Sequence, residues 1–213
     1  MKKSLNMQDA ISFAVRELKK KFVLLVISFG AIPFFLTTLA IVVISVLYRF
    51  NPNAINYFSG ILLFLMLGLY VLYGLGSAYM SLRFVDNKQV RMRDILSQYS
   101  LLIPGIISYM IYWLMVSAGL ILLVIPGLII ATRWFFFPYA LVEGRGISRS
   151  LSYSATLTDK VKFNILGYLL VIAFASMIPV VNFFVPIIAS LSSAWMYRNL
   201  ERQHNSLAIV DIE

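Results

Sequence analysis

The sequence predicts an all-α fold: a polytopic membrane bundle of six transmembrane helices, arranged as three hairpins with cytoplasmic amphipathic helices. Of its 213 residues, 61% are apolar and 13% are charged. Soluble domains are nearer half apolar and a quarter charged. Four stretches without any charged residue each equal or exceed the roughly 20 residues that cross a bilayer. Those stretches are 22–48, 51–82, 97–132 and 163–197.

The first two spans are predicted at 22–47 and 56–82, joined by a polar turn at 49–53 that contains Asn and Pro. We predict that the first span is retained rather than cleaved as a signal peptide. The apolar run starts only at Phe22, exceeds the usual length of a signal sequence and lacks a clear small-residue cleavage site.

The next two spans come from one apolar stretch, 101–142, which the chain must reverse. As a single helix its 42 residues would measure about 63 Å, against a hydrocarbon core near 30 Å. Pro126 and Gly127 supply the strong turn chemistry near its middle, so we predict the outer reversal there. Pro104 and Gly105, one membrane thickness earlier, mark the inner start of the third span. The predicted spans are 103–124 and 127–142.

The last two spans are predicted by the same reasoning. Residues 163–197 would form a helix of about 52 Å, again too long for one crossing. Pro179 and Pro186 mark the reversal, with Asn182 as its cap. The predicted spans are 163–180 and 185–200.

The distribution of basic residues predicts the orientation. Sixteen of the eighteen Lys and Arg fall in four segments that would share one side of the membrane. Only Arg49 lies in an outer turn, and Arg133 lies within a span. The positive-inside rule therefore places both termini in the cytoplasm. The four inner segments are 1–21, 83–102, 143–162 and 198–213.

An amphipathic segment precedes each predicted hairpin, with apolar residues three and four positions apart. These segments are either parts of three parallel repeats or ordinary flanks of the spans. The chain is predicted to be one transmembrane domain, 1–213, with units 1–83, 84–143 and 144–200 and a polar tail at 201–213. The apolar stripes are Met7, Ile11, Ala14, Val15, Leu18 and Phe22, then Met92, Ile95, Leu96 and Tyr99, then the weaker Ile147, Leu151 and Ala155.

Several classes of activity are disfavoured by composition. The chain has no Cys and a single His, His204, to which we assign no role. No catalytic residue, metal ligand or cofactor is predicted, because the spans contain no pairing of nucleophile and base. The net charge of +9 follows from membrane topology rather than nucleic-acid binding. No acidic residue lies inside a span, which disfavours proton-coupled and ion-coupled transport.

Arg133 is the candidate lipid or anion contact. A charge at mid-span costs about 2.5–3.5 kcal/mol on insertion scales, so its presence calls for an explanation. The functional interpretation is contact with an anion or a lipid headgroup. The alternative is that the side chain extends towards water or bonds to carbonyl and tyrosine oxygens.

Two other groups have ordinary interpretations. The small residues of the second span favour close helix packing, with a solute path as the alternative. Glu143, Arg145 and Arg149 are interpreted as a solvated inner loop. The small residues are Gly68, Gly74, Gly76, Ser77 and Ala78.

Residues 123–170 carry a family resemblance. Their pattern is a Pro-Gly-(Ile/Leu)-Ile turn at 126–129, an apolar run to Pro138, a polar link at 143–146 and a Ser-containing helix at 150–154. This pattern resembles the YciC-like family of bacterial inner-membrane proteins and the related membrane domain of some glycerophosphoryl diester phosphodiesterases. The resemblance implies a multi-span bundle in that membrane and carries over no catalytic residues.

The sequence therefore predicts a non-enzymatic integral membrane protein that acts through membrane lipids, other membrane proteins or self-association, without nucleic acid. The alternative is a transporter or permease for an anionic or amphipathic solute, with Arg133 as the substrate contact.

Overall fold

The computed structural model describes residues 7–50, 54–95 and 97–210, and all regular structure within them is helical. The turn predicted at 49–53 falls mainly outside the described residues, as does Leu96. A π-helical turn, Val26–Ala31, joins α2 to α3, and two 3-10 turns, Met92–Ile95 and Tyr99–Leu101, precede α5. The α-helices are α1 Met7–Lys20, α2 Phe22–Leu25, α3 Ile32–Phe50, α4 Ala54–Val85, α5 Leu102–Leu122, α6 Val124–Arg133, α7 Phe137–Val142, α8 Ile147–Thr158, α9 Lys162–Ser176, α10 Pro179–Asn182 and α11 Val185–Val210.

Three helical segments in the described part of the chain are long and apolar enough to cross a membrane. They are Phe64–Val85, Met92–Leu122 and Val124–Val142, and two shorter apolar helices, Thr37–Val46 and Lys162–Ser176, accompany them. Large apolar side chains on these helices face outward: Ile121 is 85% exposed and Phe174 is 67% exposed. An apolar exterior of this kind belongs in lipid, so the chain is a membrane protein.

The centre of the bundle is α11, which runs parallel to α4. Ser81 contacts Ser190, and further along both helices Asp86 contacts Arg198. The helix α1 lies against α11, and Ala10 and Ala14 are fully buried. The predicted apolar stripe of α1 included Ala14 but also Phe22, which is half exposed. The small residues of α1 therefore allow it to approach the bundle closely.

The helices α5 and α6 form an antiparallel pair. The chain reverses at Leu123, which is extended with φ −160° and ψ 135°. Pro126 lies three residues later, in the first turn of α6, where its missing N–H has no intrahelical partner to lose. A Cβ on Gly119 would lie 2.8 Å from the Cα of Gly127, so the two backbones touch. The outer reversal was predicted at Pro126 and Gly127. In the structure Leu123 reverses the chain, and Gly127 permits the close packing of α5 against α6.

The other prolines predicted at turns also lie in the first turns of helices. Pro104 is the third residue of α5, Pro179 the first of α10 and Pro186 the second of α11. Gly105 is buried, and a Cβ there would lie 2.6 Å from Leu75 Cδ1. These prolines therefore begin helices, as their fixed φ favours.

The second predicted amphipathic helix is replaced by the two 3-10 turns, which pack on α4. A carboxylate oxygen of Asp94 accepts the backbone N–H of Arg91 at 2.9 Å, a local bond that competes with α-helix formation. The carbonyl oxygen of Ile95 would lie 1.9 Å from a Cβ on Gly76. Because Gly76 has no side chain, the backbone of Ile95 can occupy the space beside it, and any side chain at this position would clash with that backbone.

Candidate anion site and ion-pair cluster

A helix break separates α6, which ends at Arg133, from α7. Ser154 Oγ donates to the carbonyl oxygen of Arg133 at 2.9 Å and accepts the N–H of Phe136 at 3.0 Å. Thr158 Oγ1 is also 3.0 Å from the Arg133 carbonyl oxygen. Broken helices at membrane depth need such partners, because lipid offers none. The helix α8 therefore holds the break together.

This role reverses the prediction for α8. Its predicted apolar stripe was Ile147, Leu151 and Ala155, of which only Leu151 is buried. The buried face instead carries a hydroxyl every fourth residue, a spacing that is visible in the sequence. The hydroxyl residues are Ser150, Ser154 and Thr158, and all three are fully buried.

We expect Ser154→Ala to lower the free energy of unfolding by about 1–3 kcal/mol, because it leaves the buried N–H of Phe136 unpaired. The matched control is Ser148→Ala, on the exposed side of the same helix. Unfolding of both variants in detergent micelles, followed by circular dichroism, makes the measurement. Equal stability of the two variants would contradict the assigned hydrogen bonds.

The break also places the Arg133 side chain at a cavity of about 560 Å³ between α8, α11 and the link 159–161 that follows α8. Arg133 is exposed, and its guanidinium forms no ion pair or hydrogen bond with the described residues. Lys160 and His204 line the same cavity. Its one acid, Asp159, lies 3.9 Å from Lys162 Nζ. The cavity is therefore predominantly basic.

The cavity has the chemistry of an anion site. Guanidinium and ammonium groups donate charge-assisted hydrogen bonds to phosphate and carboxylate oxygens. The hydroxyl of Ser152 adds a neutral donor at its wall, whereas that of Thr156 donates to the carbonyl oxygen of Ser152 and offers its lone pairs. A volume of about 560 Å³ lies within the range of small-molecule sites. Arg133 was predicted from its place in the sequence. Lys160, from the link between α8 and α9, and His204, from α11, were not.

An ion-pair cluster lies elsewhere in the bundle, centred on Arg198 of α11. Its Nε and Nη2 bind both carboxylate oxygens of Asp86, at 3.0 and 2.9 Å. Its Nη1 donates to Glu201 at 2.6 Å and also to Glu143. The cluster thus joins the ends of α4 and α7 to α11.

Arg145 and Tyr153 extend the cluster. Arg145 Nη2 donates to Glu201 at 3.0 Å, and its guanidinium stacks 3.8 Å from the ring centroid of Tyr153. Burial, followed by the negative charge of Glu201, raises the pKa of Tyr153 to about 12. The phenol therefore stays protonated at neutral pH. The loop was predicted to be solvated. Glu143 and Arg149 are indeed exposed, but Glu143 and Arg145 also form ion pairs.

Comparison with protein families, with curated proteins and with solved structures finds no match to this chain, so its function is argued from the two sites themselves.

Proposed function

We propose that this protein is a non-enzymatic, six-span inner-membrane protein of the YciC-like type that binds anionic phospholipid headgroups at the Arg133 cavity. The observation that carries the proposal is an arginine without a partner among the described residues, facing a cavity with a second cation and two hydroxyls. A phosphate group supplies the missing acceptor.

The position of the cavity favours a lipid over a free anion. Phe163, which follows Lys162 at the start of α9, is 77% exposed. An apolar surface beside a basic cavity suits a ligand that has both an acyl chain and a charged headgroup. The binding energy would then come from both parts of the lipid.

The test is the phospholipid that copurifies in mild detergent, quantified by mass spectrometry. We expect Arg133→Ala to weaken retention of anionic phospholipid about tenfold to a hundredfold, the equivalent of one charge-assisted hydrogen bond of about 1.5–3 kcal/mol. The matched control, Arg149→Ala, removes an exposed cation that does not line the cavity. Unchanged lipid content in Arg133→Ala would refute the proposal.

Three hairpins with both termini in the cytoplasm form the proposed topology. The helices that run back to the cytoplasm would be α4, α7 and α11. The contacts of Arg198 in α11 with Asp86 and Glu143, at the ends of α4 and α7, support this arrangement. All three would then reach the same side of the membrane, where most of the basic residues lie.

Cysteine labelling tests this topology in a chain that has no native Cys. We expect Val124→Cys to react with an impermeant maleimide on spheroplasts, and Asn87→Cys to react only after permeabilisation. Both positions are exposed. Labelling of both from one side would overturn the hairpin between them.

A second candidate function is transport of an anionic or amphipathic solute, with Arg133 as its contact. Discontinuous helices often surround transport sites, and the break at 134–136 adjoins this cavity. In proteoliposomes, Arg133→Ala at normal expression would then abolish uptake. If Arg133→Ala only lowers expression, Arg133 has a structural role and is not the substrate contact.

A further inference from the structure

A separate cavity of about 290 Å³ lies among α4, α5, α11 and the start of α7. Ser190, on its wall, precedes Arg198 by eight residues, which corresponds to about 12 Å along α11. No charged residue lines this cavity. Its polar groups are hydroxyls, contributed by Ser77, Tyr109, Tyr139, Ser190 and Ser193.

Most of these hydroxyls already donate their hydrogen to the protein. Ser77 donates to the carbonyl of Gly74 at 2.8 Å, and Tyr139 to the carbonyl of Ser190 at 3.1 Å. Ser81 donates to the carbonyl of Ser77, so the 2.6 Å contact between Ser81 and Ser190 uses the hydrogen of Ser190. The lone pairs of these oxygens remain as acceptors for a ligand.

The remaining two hydroxyls complete the set. The hydrogen of Tyr168 serves the hydroxyl of Ser192 and the carbonyl of Ala189, so the 3.2 Å contact between Ser193 and Tyr168 uses the hydrogen of Ser193. Tyr109 differs, because no described residue bonds its hydroxyl. Gly74 makes room for that hydroxyl, since a Cβ there would lie 2.8 Å from Tyr109 Oη. The cavity thus offers several acceptors and one free donor.

We propose that this cavity binds a small uncharged solute with several hydroxyl groups. The hydroxyl groups of such a solute would donate to the acceptor oxygens of the lining, and one of its oxygens would accept the hydrogen of Tyr109. A carboxylate brings only acceptors and an ammonium group only donors, and either would enter without a counter-charge. The rings of Phe135 and Tyr139, which also line the cavity, suit the C–H faces of a polyol.

A further cavity, of about 370 Å³, lies where the ends of α4 and α7 meet α11, beside the ion-pair cluster. Its lining includes Leu82 and Val142 and then Asp86, Glu143 and Arg198. The hydroxyl-lined cavity shares no lining residue with the Arg133 cavity, so each proposal can be tested independently of the other.

The test uses single cysteines in proteoliposomes and methyl methanethiosulfonate, a small neutral thiol reagent. We expect Ser193→Cys to be modified, because thiolate formation needs a polar, reachable site. Ser192→Cys, buried against Tyr168 outside the lining, serves as the control and should stay unmodified. Erythritol should slow the modification of Ser193→Cys several-fold, whereas acetate and choline should leave its rate unchanged.

Tyr109→Phe, in the Ser193→Cys background, separates binding from folding. It removes the free donor and keeps the ring, so thermal stability should not change while the protection by erythritol is lost. An unmodified thiol, a rate that erythritol does not alter, protection by acetate or choline, or full erythritol protection in Tyr109→Phe would each overturn the proposal.

Discussion

Replacing Gly76 with Ala is expected to destabilise the protein by about 3 kcal/mol, at the upper end of the usual cost of overpacking. The added Cβ would lie 1.9 Å from the carbonyl oxygen of Ile95 and 2.6 Å from its carbonyl carbon. Both are backbone atoms, so no rotamer change relieves the clash. The 3-10 turn Met92–Ile95 must move away from α4, and buried Ile95 and Asp94 lose their packing.

Gly68→Ala is the matched control on the same helix, because a Cβ at Gly68 meets nothing within 4 Å. Alanine is favoured over glycine in a helix by about 0.8–1 kcal/mol, so this variant should be as stable as the parent or more stable. Titration with SDS in detergent micelles, followed by circular dichroism, compares the two. If both variants unfold together, the turn does not pack on α4 as described.

Arg198→Ala is expected to cost about 2–4 kcal/mol of unfolding free energy, because it leaves Asp86, Glu143 and Glu201 facing one another without their shared cation. Removing one partner from a fully buried pair costs about 3–5 kcal/mol. The expected loss is somewhat smaller here, since the side chains of the cluster are 12–20% exposed.

Two variants make this result specific. Arg202→Ala removes an exposed arginine from the same helix and should change little. Arg198→Lys keeps the charge but loses the two-pronged bond to Asp86, so its stability should lie between those of the other variants. High salt should narrow the difference between Arg198→Ala and the parent protein. Equal stability of Arg198→Ala and Arg202→Ala would contradict a role for the cluster.

The sequence supported the fold class better than its details. Long uncharged runs predicted helices in a membrane, and the structure contains three helical segments long and apolar enough for that role. Pro126, Pro179 and Pro186 were predicted to mark reversals and Pro104 the start of the third span, and all four lie in the first turn of a helix. Proline chemistry is compatible with both positions, so local preference alone could not choose between them.

The candidate site was predictable only in part. Arg133 is conspicuous because it is a charge within an apolar run, a property of its neighbours in the sequence. Its companions Lys160 and His204 come from distant segments, and nothing local distinguishes them. Glu143 and Arg145 have the composition of a solvated loop, yet they pair with residues of α11.

The sequence by itself determined that this chain is helical and belongs in a membrane, because transfer free energies and helix propensities add up along consecutive residues. Only the tertiary structure decided what each polar residue does. A serine of α8 completes a broken helix, an arginine of α11 binds the ends of α4 and α7, and a tyrosine of α5 has a hydroxyl that no described residue bonds. Each role depends on which partner satisfies a hydrogen bond or a charge, and that partner lies far away in the chain.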